Sequence, residues 1–147
     1  MRLVVQRVEK AKVTRVEDQK VVGQIKKGLF VLVGFKKGDS EKDVELLAVK
    51  LSRLRVMADK ENKMNLSVID TKSKILVVSQ FTLHADTSGG NRPSFINAED
   101  PEKARKLYEF FIVSLRAKNI ETETGSFGDH MEIDCVLDGP VTIIYSD

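Results

Sequence analysis

The sequence predicts one sheet-rich domain of α/β composition, in the mixed α+β class, with two amphipathic helices. Three observations lead there. Valine- and isoleucine-rich runs of strand length recur along the chain, bounded by turn residues. Two longer stretches repeat apolar residues at three- and four-residue steps behind helix-start signals. The 147 residues fit a single domain, 1–147, with room for one core, and no fixed-period repeat or low-complexity linker divides it.

Residues 2–8 and 10–16 read as two valine-rich strands. "KVVGQI" and "GLFVLVGF" come next, separated by Lys26-Lys27-Gly28, and read as a hairpin. The near-continuous apolar run at 29–33 fits a strand covered on both faces. Ser40-Glu41-Lys42-Asp43 resembles a capping box, and the helix it opens carries Val44, Leu47, Leu51 and Leu54 on one face. "KILVVSQF" (74–81) is another buried strand. Asp100-Pro101 supplies an N-cap and a first-turn proline for a second helix, whose stripe of Ala104, Leu107, Tyr108, Phe111 and Leu115 is explained by core packing. Met131, Ile133, Cys135 and Leu137 then share one strand face, with Glu132, Asp134 and Asp138 opposite. "VTIIY" after Gly139-Pro140 is a final strand.

Composition narrows the function classes. Hydrophobic residues at 41% and charged residues at 31% fit a globular chain rather than a disordered one. Apolar runs of four or five residues are too short to span a membrane. "MRLVVQRVEK" lacks the apolar core and cleavage site of a signal peptide, so the expected compartment is the cytoplasm. Cys135 is the only cysteine, which excludes an intramolecular disulfide framework. One cysteine and two histidines at unrelated spacings assemble no structural zinc site, so no metal and no cofactor is expected. A net charge of +2 leaves partners open, although a local basic patch could still meet a phosphate backbone.

The chemically crowded stretch is "VVSQFTLHADTSGGNRPSF", residues 77–95. Ser79, Thr82, His84 and Asp86 are the materials of a hydrolytic triad. On a continuing strand, however, same-face neighbours two apart lie about 7 Å from each other, too far for a nucleophile–base hydrogen bond. There is no G-x-S-x-G elbow either. His84 and His130 are the only neutral-pH bases, and a hydrogen-bonded or exposed histidine without catalytic work is the simpler reading of both. Cys135 reads as a small buried hydrophobe. Lys103, Arg105 and Lys106 read as a solvated face, with phosphate contact as the sharper alternative. "SGGNRPSF" must bend sharply. "DGPVT" reads first as a turn; a cis Gly-Pro peptide, found in only about 5–6% of X–Pro bonds, is the sharper reading.

Read together, "MRLVVQRV", "VSQFTL", "GNRPSF", "GSFGDHM" and "DGPVTI" resemble the D-aminoacyl-tRNA deacylases, in that family's order, spacing and length. The resemblance implies a homodimer whose barrel-like sheet of mostly antiparallel strands carries helices on one side. It implies hydrolysis of the ester between a D-amino acid and the 3′-terminal adenosine of tRNA, and possible action on glycyl-tRNA. D- and L-aminoacyl groups differ only by exchange of hydrogen and side chain at one carbon. A site open to many D side chains must therefore hold the shared atoms and obstruct the L-configuration.

By this resemblance Gly139-Pro140, in cis, reaches into the partner's site. Its two carbonyl oxygens receive the substrate ammonium and leave no room for an L side chain. Arg7 holds that turn. Backbone N–H groups near Phe81 and Thr82 meet the developing oxyanion, Ser79 and Gln80 brace the loop, and the terminal 2′-hydroxyl of the tRNA assists. Thr82 orients water or substrate, or only satisfies nearby backbone. Phe127, Gly128 and Met131 line the adenosine pocket, with core packing as the rival for Met131. Asn91, Arg92 and Pro93 shape the adjoining loop. Asp129 and His130 depart from the small residue that many members place before the methionine. The competing functions are a threonine-nucleophile hydrolase using Thr82 and a non-catalytic module that binds the tRNA end.

Overall fold

The computed structural model describes residues 1–146. Its organising element is strand β1 (Arg2–Arg15), which has different partners along one edge. Strand β2 (Lys20–Ile25) pairs with its second half, Ala11 opposite Ile25 and Arg15 opposite Lys20. Strand β3 (Gly28–Gly34) pairs with its first half, Arg2 opposite Gly34 and Val8 opposite Gly28. Two expectations are corrected here. Residues 2–8 and 10–16 are one strand, and 20–25 with 28–35 do not form a hairpin. The chain reverses instead at 16–19, where Gln19 takes a positive φ of 56°, so β2 and β3 succeed one another down the same side of β1. Lys26-Lys27 joins the two strands without reversing that run.

Helix α1 (Glu41–Ser52) begins as expected, with the Asp43 carboxylate accepting the Ser40 backbone N–H at 2.9 Å. The small strands β4 (Met57–Ala58) and β5 (Met64–Leu66) pair with each other, and α2 (Val68–Thr71) is a single turn. Strand β6 (Lys74–Ser79) then lies parallel to β3. Helix α3 (Pro101–Arg116) starts at Asp100, whose carboxylate accepts the Glu102 N–H at 3.0 Å. Strand β7 (Thr122–Thr124) lies parallel to β6 and against β2, so the sheet is a nearly closed barrel. The two parallel pairings are those whose connections contain α1 and α3, as crossover geometry requires; the other pairings are antiparallel.

Alternation in β3 and β6 separates two cores. Val31, Val33, Ile75 and Val77 point to the helices, where Val44, Leu47, Leu51, Leu107, Phe111 and Leu115 meet them. Phe30, Leu76 and Val78 point into the barrel with Val8, Val13 and Ile25. Both faces of these strands are therefore covered, which is why their sequences run apolar without a break. Each fully buried leucine, isoleucine or phenylalanine contributes about 1.5–3 kcal/mol.

Strand β8 (Met131–Ser146) pairs with the edge of β1 away from β2 and β3. The strand expected at 131–137 and the one expected at 141–145 are one element with a break in register. Thr142 stands opposite Gln6 and Leu137 opposite Val8, so residues 138–141 bulge out facing Arg7. The Gly139–Pro140 peptide in that bulge is cis. Among the described residues the other edge of β8 is unpaired. Its expected apolar face is only partly covered: Met131 and Cys135 are half-buried, while Ile133 and Leu137 are exposed, as are Val136 and Ile144 elsewhere on the strand.

A side chain on Gly28 would place its Cβ 2.1 Å from the Lys74 carbonyl oxygen, so bare backbone is needed where β3 meets β6. Gly28→Ala is expected to lower unfolding free energy by at least about 1–3 kcal/mol in urea titrations. Gly89→Ala, with nothing within 4 Å of its Cβ position, should stay within about 0.5 kcal/mol of the parent.

Candidate active site

The strand expected over 74–81 stops two residues early. The Gln80 N–H donates to the Val33 carbonyl at 2.7 Å, and the chain then coils into a 3-10 turn, Phe81–His84. Gly34 lets this turn lie flat on β3: a Cβ there would sit 2.8 Å from the Gln80 carbonyl oxygen and 3.2 Å from the His84 ring. From β1, the Arg2 guanidinium donates to the Leu83 carbonyl. In a 3-10 turn the first amides have no carbonyl behind them to donate to. Leu83 N–H already reaches the Gln80 carbonyl at 3.3 Å, which leaves the Phe81 and Thr82 amides as the turn's unpaired donors among the described residues.

The side chains of this stretch do not form a triad. The Thr82 hydroxyl accepts from Gln80 Nε2 at 2.6 Å. The Asp86 carboxylate is taken by the Ser88 N–H at 2.9 Å and hydroxyl at 2.7 Å. His84 points inward, and its Nε2 has no hydrogen-bond partner among the described residues. Burial pushes the His84 pKa below its ordinary value; the nearby N-terminal ammonium and Arg2 act in the same direction, and a hydrogen bond to the Gly34 backbone and the Asp39 charge oppose them. A buried neutral ring beneath the turn is a packing group, not a base for Thr82.

The turn forms one wall of a cavity of about 510 Å³. Ser79, Gln80 and Phe81 face Phe127, Gly128 and Met131 across it, so two motifs nearly fifty positions apart share one space. Phe127 is held between Tyr108, with ring centroids 5.7 Å apart, and the Arg105 guanidinium, 4.9 Å from the ring centroid. Tyr108 is anchored by its hydroxyl, which donates to the Val77 carbonyl at 2.9 Å, and burial raises its pKa. Met131 is half-buried, and its sulfur accepts from the Ser126 N–H at 3.2 Å. It is both a packing group and a wall.

Asp129 also borders the cavity, with its carboxylate engaged by the Ser126 hydroxyl and by Arg15 at 3.4 Å. Those contacts hold its pKa below the usual carboxylate range, the Ser126 bond contributing most. The departure at Asp129-His130 thus adds a charge that already has partners. Sequence reasoning missed Phe35, Ala98, Glu99 and Pro101, which complete the wall. Phe35 reads in the sequence as the end of a core strand and Pro101 as the first-turn proline of α3.

The remaining candidates lie elsewhere. Asn91, Arg92 and Pro93 are in an exposed loop closed at its base by reciprocal Asp86–Ser94 backbone bonds of 2.8 Å, next to a Phe81–Phe95 edge contact at 5.1 Å. Arg7 is buried between β1 and the β8 bulge: Nη1 donates to the Val56 carbonyl at 2.7 Å, and Nε lies 2.9 Å from Asp138 Oδ2 without the alignment of a hydrogen bond. Gly139, at φ 123°, presents the position of a missing Cβ 3.4 Å from Arg7 Nη2, and Pro140 is exposed beside it. Arg2 touches the 81–84 turn and Arg7 lies five residues further along β1, about 17 Å away. Within one chain, the Gly139-Pro140 corner and the cavity are separate.

A barrel-like α+β domain with a part-apolar cavity bordered by Ser79, Gln80 and Phe81 has the concave, mixed lining common to ligand sites. The family model described as D-Tyr-tRNA(Tyr) deacylase matches residues 4–146. A D-aminoacyl-tRNA deacylase of Thermotoga petrophila is 53% identical over 144 residues, 98% of this chain and 95% of that one. One from Brevibacillus brevis is 50% identical over 144 residues, 98% of each chain. A solved structure described as a c-Myc DNA Unwinding Element Binding Protein superposes with a TM-score of 0.92 at 37% identity, covering 100% of this chain and 99% of that one. A probable eukaryotic D-amino acid tRNA deacylase, at TM-score 0.84 and 16% identity over 98% and 97% of the two chains, shares the fold. The chain belongs to the D-Tyr-tRNA(Tyr) deacylase family.

Because the unfolded chain takes up a proton on His84 before the folded one does, stability from the neutral ring is complete above about pH 6.5 and is lost as the pH falls from there toward the lower folded pKa. Imidazole NMR is expected to show His84 titrating below 6.5, with thermal stability declining over the same window. Titration of His84 at or above 6.5 would contradict the buried placement.

Proposed function

We propose that this chain hydrolyses D-aminoacyl-tRNA, releasing the free D-amino acid and the tRNA. The observation that carries the assignment of the site is the shared cavity, where Ser79–Phe81 and Phe127–Met131 meet. The 3′-terminal adenosine sits against Phe127, Gly128 and Met131, and the ester carbonyl faces the turn. Water adds to the carbonyl carbon, the Phe81 and Thr82 amides stabilise the negative oxygen, and the bond to the ribose 3′-oxygen then breaks. That oxygen leaves with the proton given up by the attacking water, relayed by the neighbouring 2′-hydroxyl, a group only RNA supplies. Removing one oxyanion donor of this kind typically costs 10²–10³ in rate. Ser79 and Gln80 brace the turn. Thr82, with its hydroxyl engaged by Gln80 and no hydrogen bond to His84 Nε2 among the described residues, orients rather than attacks.

Selectivity comes from a second copy. In this reading the exposed apolar residues of β8, Ile133, Val136, Leu137 and Ile144, support a homodimer. Each protomer then offers its Gly139-Pro140 corner to the partner's cavity. The corner's carbonyls receive the α-ammonium of the substrate and occupy the space of an L side chain, while glycine attached to tRNA, lacking that side chain, is also accepted. Arg7 fixes the corner through Asp138 and Val56, and Asn91, Arg92 and Pro93 shape the loop beside Phe81. The tRNA-end-binding reading lacks a specific observation in its favour.

The test is release from matched D- and L-tyrosyl-tRNA by the purified protein. Rapid D-release with the L-ester spared is the expected result; equal rates would overturn the selectivity, and retention of both esters uncleaved would favour the binding module. Arg7→Ala is expected to lower the D-to-L rate ratio about tenfold or more by loosening the corner. An unchanged ratio would remove Arg7 from this role.

A further inference from the structure

At the opposite end of the barrel from the cavity, a larger open cleft of about 1070 Å³ lies where β3 and β6 begin. Lys10, Lys12, Lys26, Lys27, Lys72 and Lys74 line it, and Asp134 is the one lining carboxylate. A chain with a net charge of only +2 therefore concentrates six ammonium groups on one concave surface. Three of them have carboxylate neighbours: Lys12 with Asp134 at 3.0 Å, Lys27 with Glu9 at 3.7 Å and Lys74 with Glu121 at 2.6 Å. All three pairs are well exposed, and such pairs contribute so little that a phosphate can replace the carboxylate. Lys10, Lys26 and Lys72 are exposed and make no ion pair among the described residues.

The arrangement conflicts with the other obvious occupant. A second copy would bring the same excess of lysines, and burying like charges against each other is unfavourable. Of the apolar residues of β8 that suit a second copy, Val136 borders the cleft, while Ile133, Leu137 and Ile144 are not among its lining residues. What the cleft lacks is anionic charge, supplied densely: duplex RNA or DNA offers roughly one negative charge per 1.7 Å of axis.

We propose that this cleft docks the phosphate backbone of the tRNA acceptor arm, a second contact separate from the cavity that takes the terminal adenosine. The proposal rests on the deacylase reading for the identity of the RNA. Lys74 and Ser79 bound β6, so the cleft lies about 17 Å along the strand from the 79–82 turn, within reach of an arm whose end is seated there. Lysine, a compact charge on a flexible stem, suits this duty: it neutralises phosphates without reading bases. The cavity then sets what is hydrolysed, and the cleft sets how tightly any tRNA is held.

Binding of uncharged tRNA, monitored by fluorescence anisotropy across a salt series, tests this directly. The variant is Lys10→Gln/Lys26→Gln/Lys72→Gln, since glutamine keeps most of the stem and suits the positive φ of position 72 no worse than lysine. Binding at 50 mM salt should weaken about tenfold or more, and the slope of log K against log salt should become shallower by about 2–3. A control, Lys42→Gln/Lys50→Gln/Lys60→Gln, removes equal charge from exposed sites elsewhere and should weaken binding at most twofold. Equal losses in both variants, or none in the first, would overturn the cleft, the latter including the case that it serves an acidic protein segment. Hydrolysis of D-tyrosyl-adenosine by the parent protein is read in parallel. If that ester survives while the first variant alone loses tRNA binding, the deacylase reading fails and the RNA-docking cleft stands.

Discussion

The hydrogen bond from the Gln80 amide to the Val33 carbonyl is the last rung joining β6 to β3, and the architecture of the candidate site depends on how the chain leaves that rung. Had the strand continued, the Phe81 and Thr82 amides would lie in an extended ladder. The chain instead coils on Gly34, with Arg2 holding the Leu83 carbonyl and the His84 ring filling the space below. The result is a short corner that presents backbone amides beside a Thr82 hydroxyl engaged by Gln80. Preorganised amides of this sort need no proton transfer and no reorganisation to stabilise a developing oxyanion. In the proposed reaction the aminoacyl ester is already reactive, so positioning and charge stabilisation are what the turn is asked to supply.

The opposite wall comes from a different part of the chain and is fixed by different means. Tyr108 ties α3 to the Val77 carbonyl, Phe127 rests on Tyr108, and Ser126 is bonded to Met131 and Asp129. These contacts hold a part-apolar surface facing the turn, with Glu99, Asp129 and His130 also on the cavity's lining. The β8 bulge is equally determined, since residues 138–141 must all fit opposite Arg7. A corner held that firmly, yet exposed and distant from its own chain's cavity, suits the proposed service to a second protomer.

Much of the fold was legible because physical signals there are local. The unbroken apolar runs of β3 and β6 report cover on both faces, and Ser40-Asp43 and Asp100-Pro101 mark helix starts. The hairpin was misread because Lys26-Lys27-Gly28 carries turn punctuation while the real reversal at 16–19 does not; only pairing with distant β1 distinguishes them. "SQFTL" reads as extended because its apolar residues alternate, whereas its coil is imposed by Gly34 and Arg2 from other strands. At the site, both motif groups could be named from their letters, but their meeting across one cavity could not. Phe35 and Glu99 carry no local mark of belonging to its wall. The β8 break was visible at Gly139-Pro140, while its continuity across the bulge depended on β1.

The central claim is that main-chain amides, with help from the RNA, carry the chemistry and that no side-chain hydroxyl attacks the ester. Single-turnover deacylation of D-tyrosyl-tRNA by Thr82→Val tests it most directly, because valine keeps the shape and removes the only hydroxyl in the 81–84 turn. The account predicts a rate within about tenfold of the parent. A loss of about 10⁴-fold or more, of the size seen when a covalent nucleophile is deleted, would contradict it.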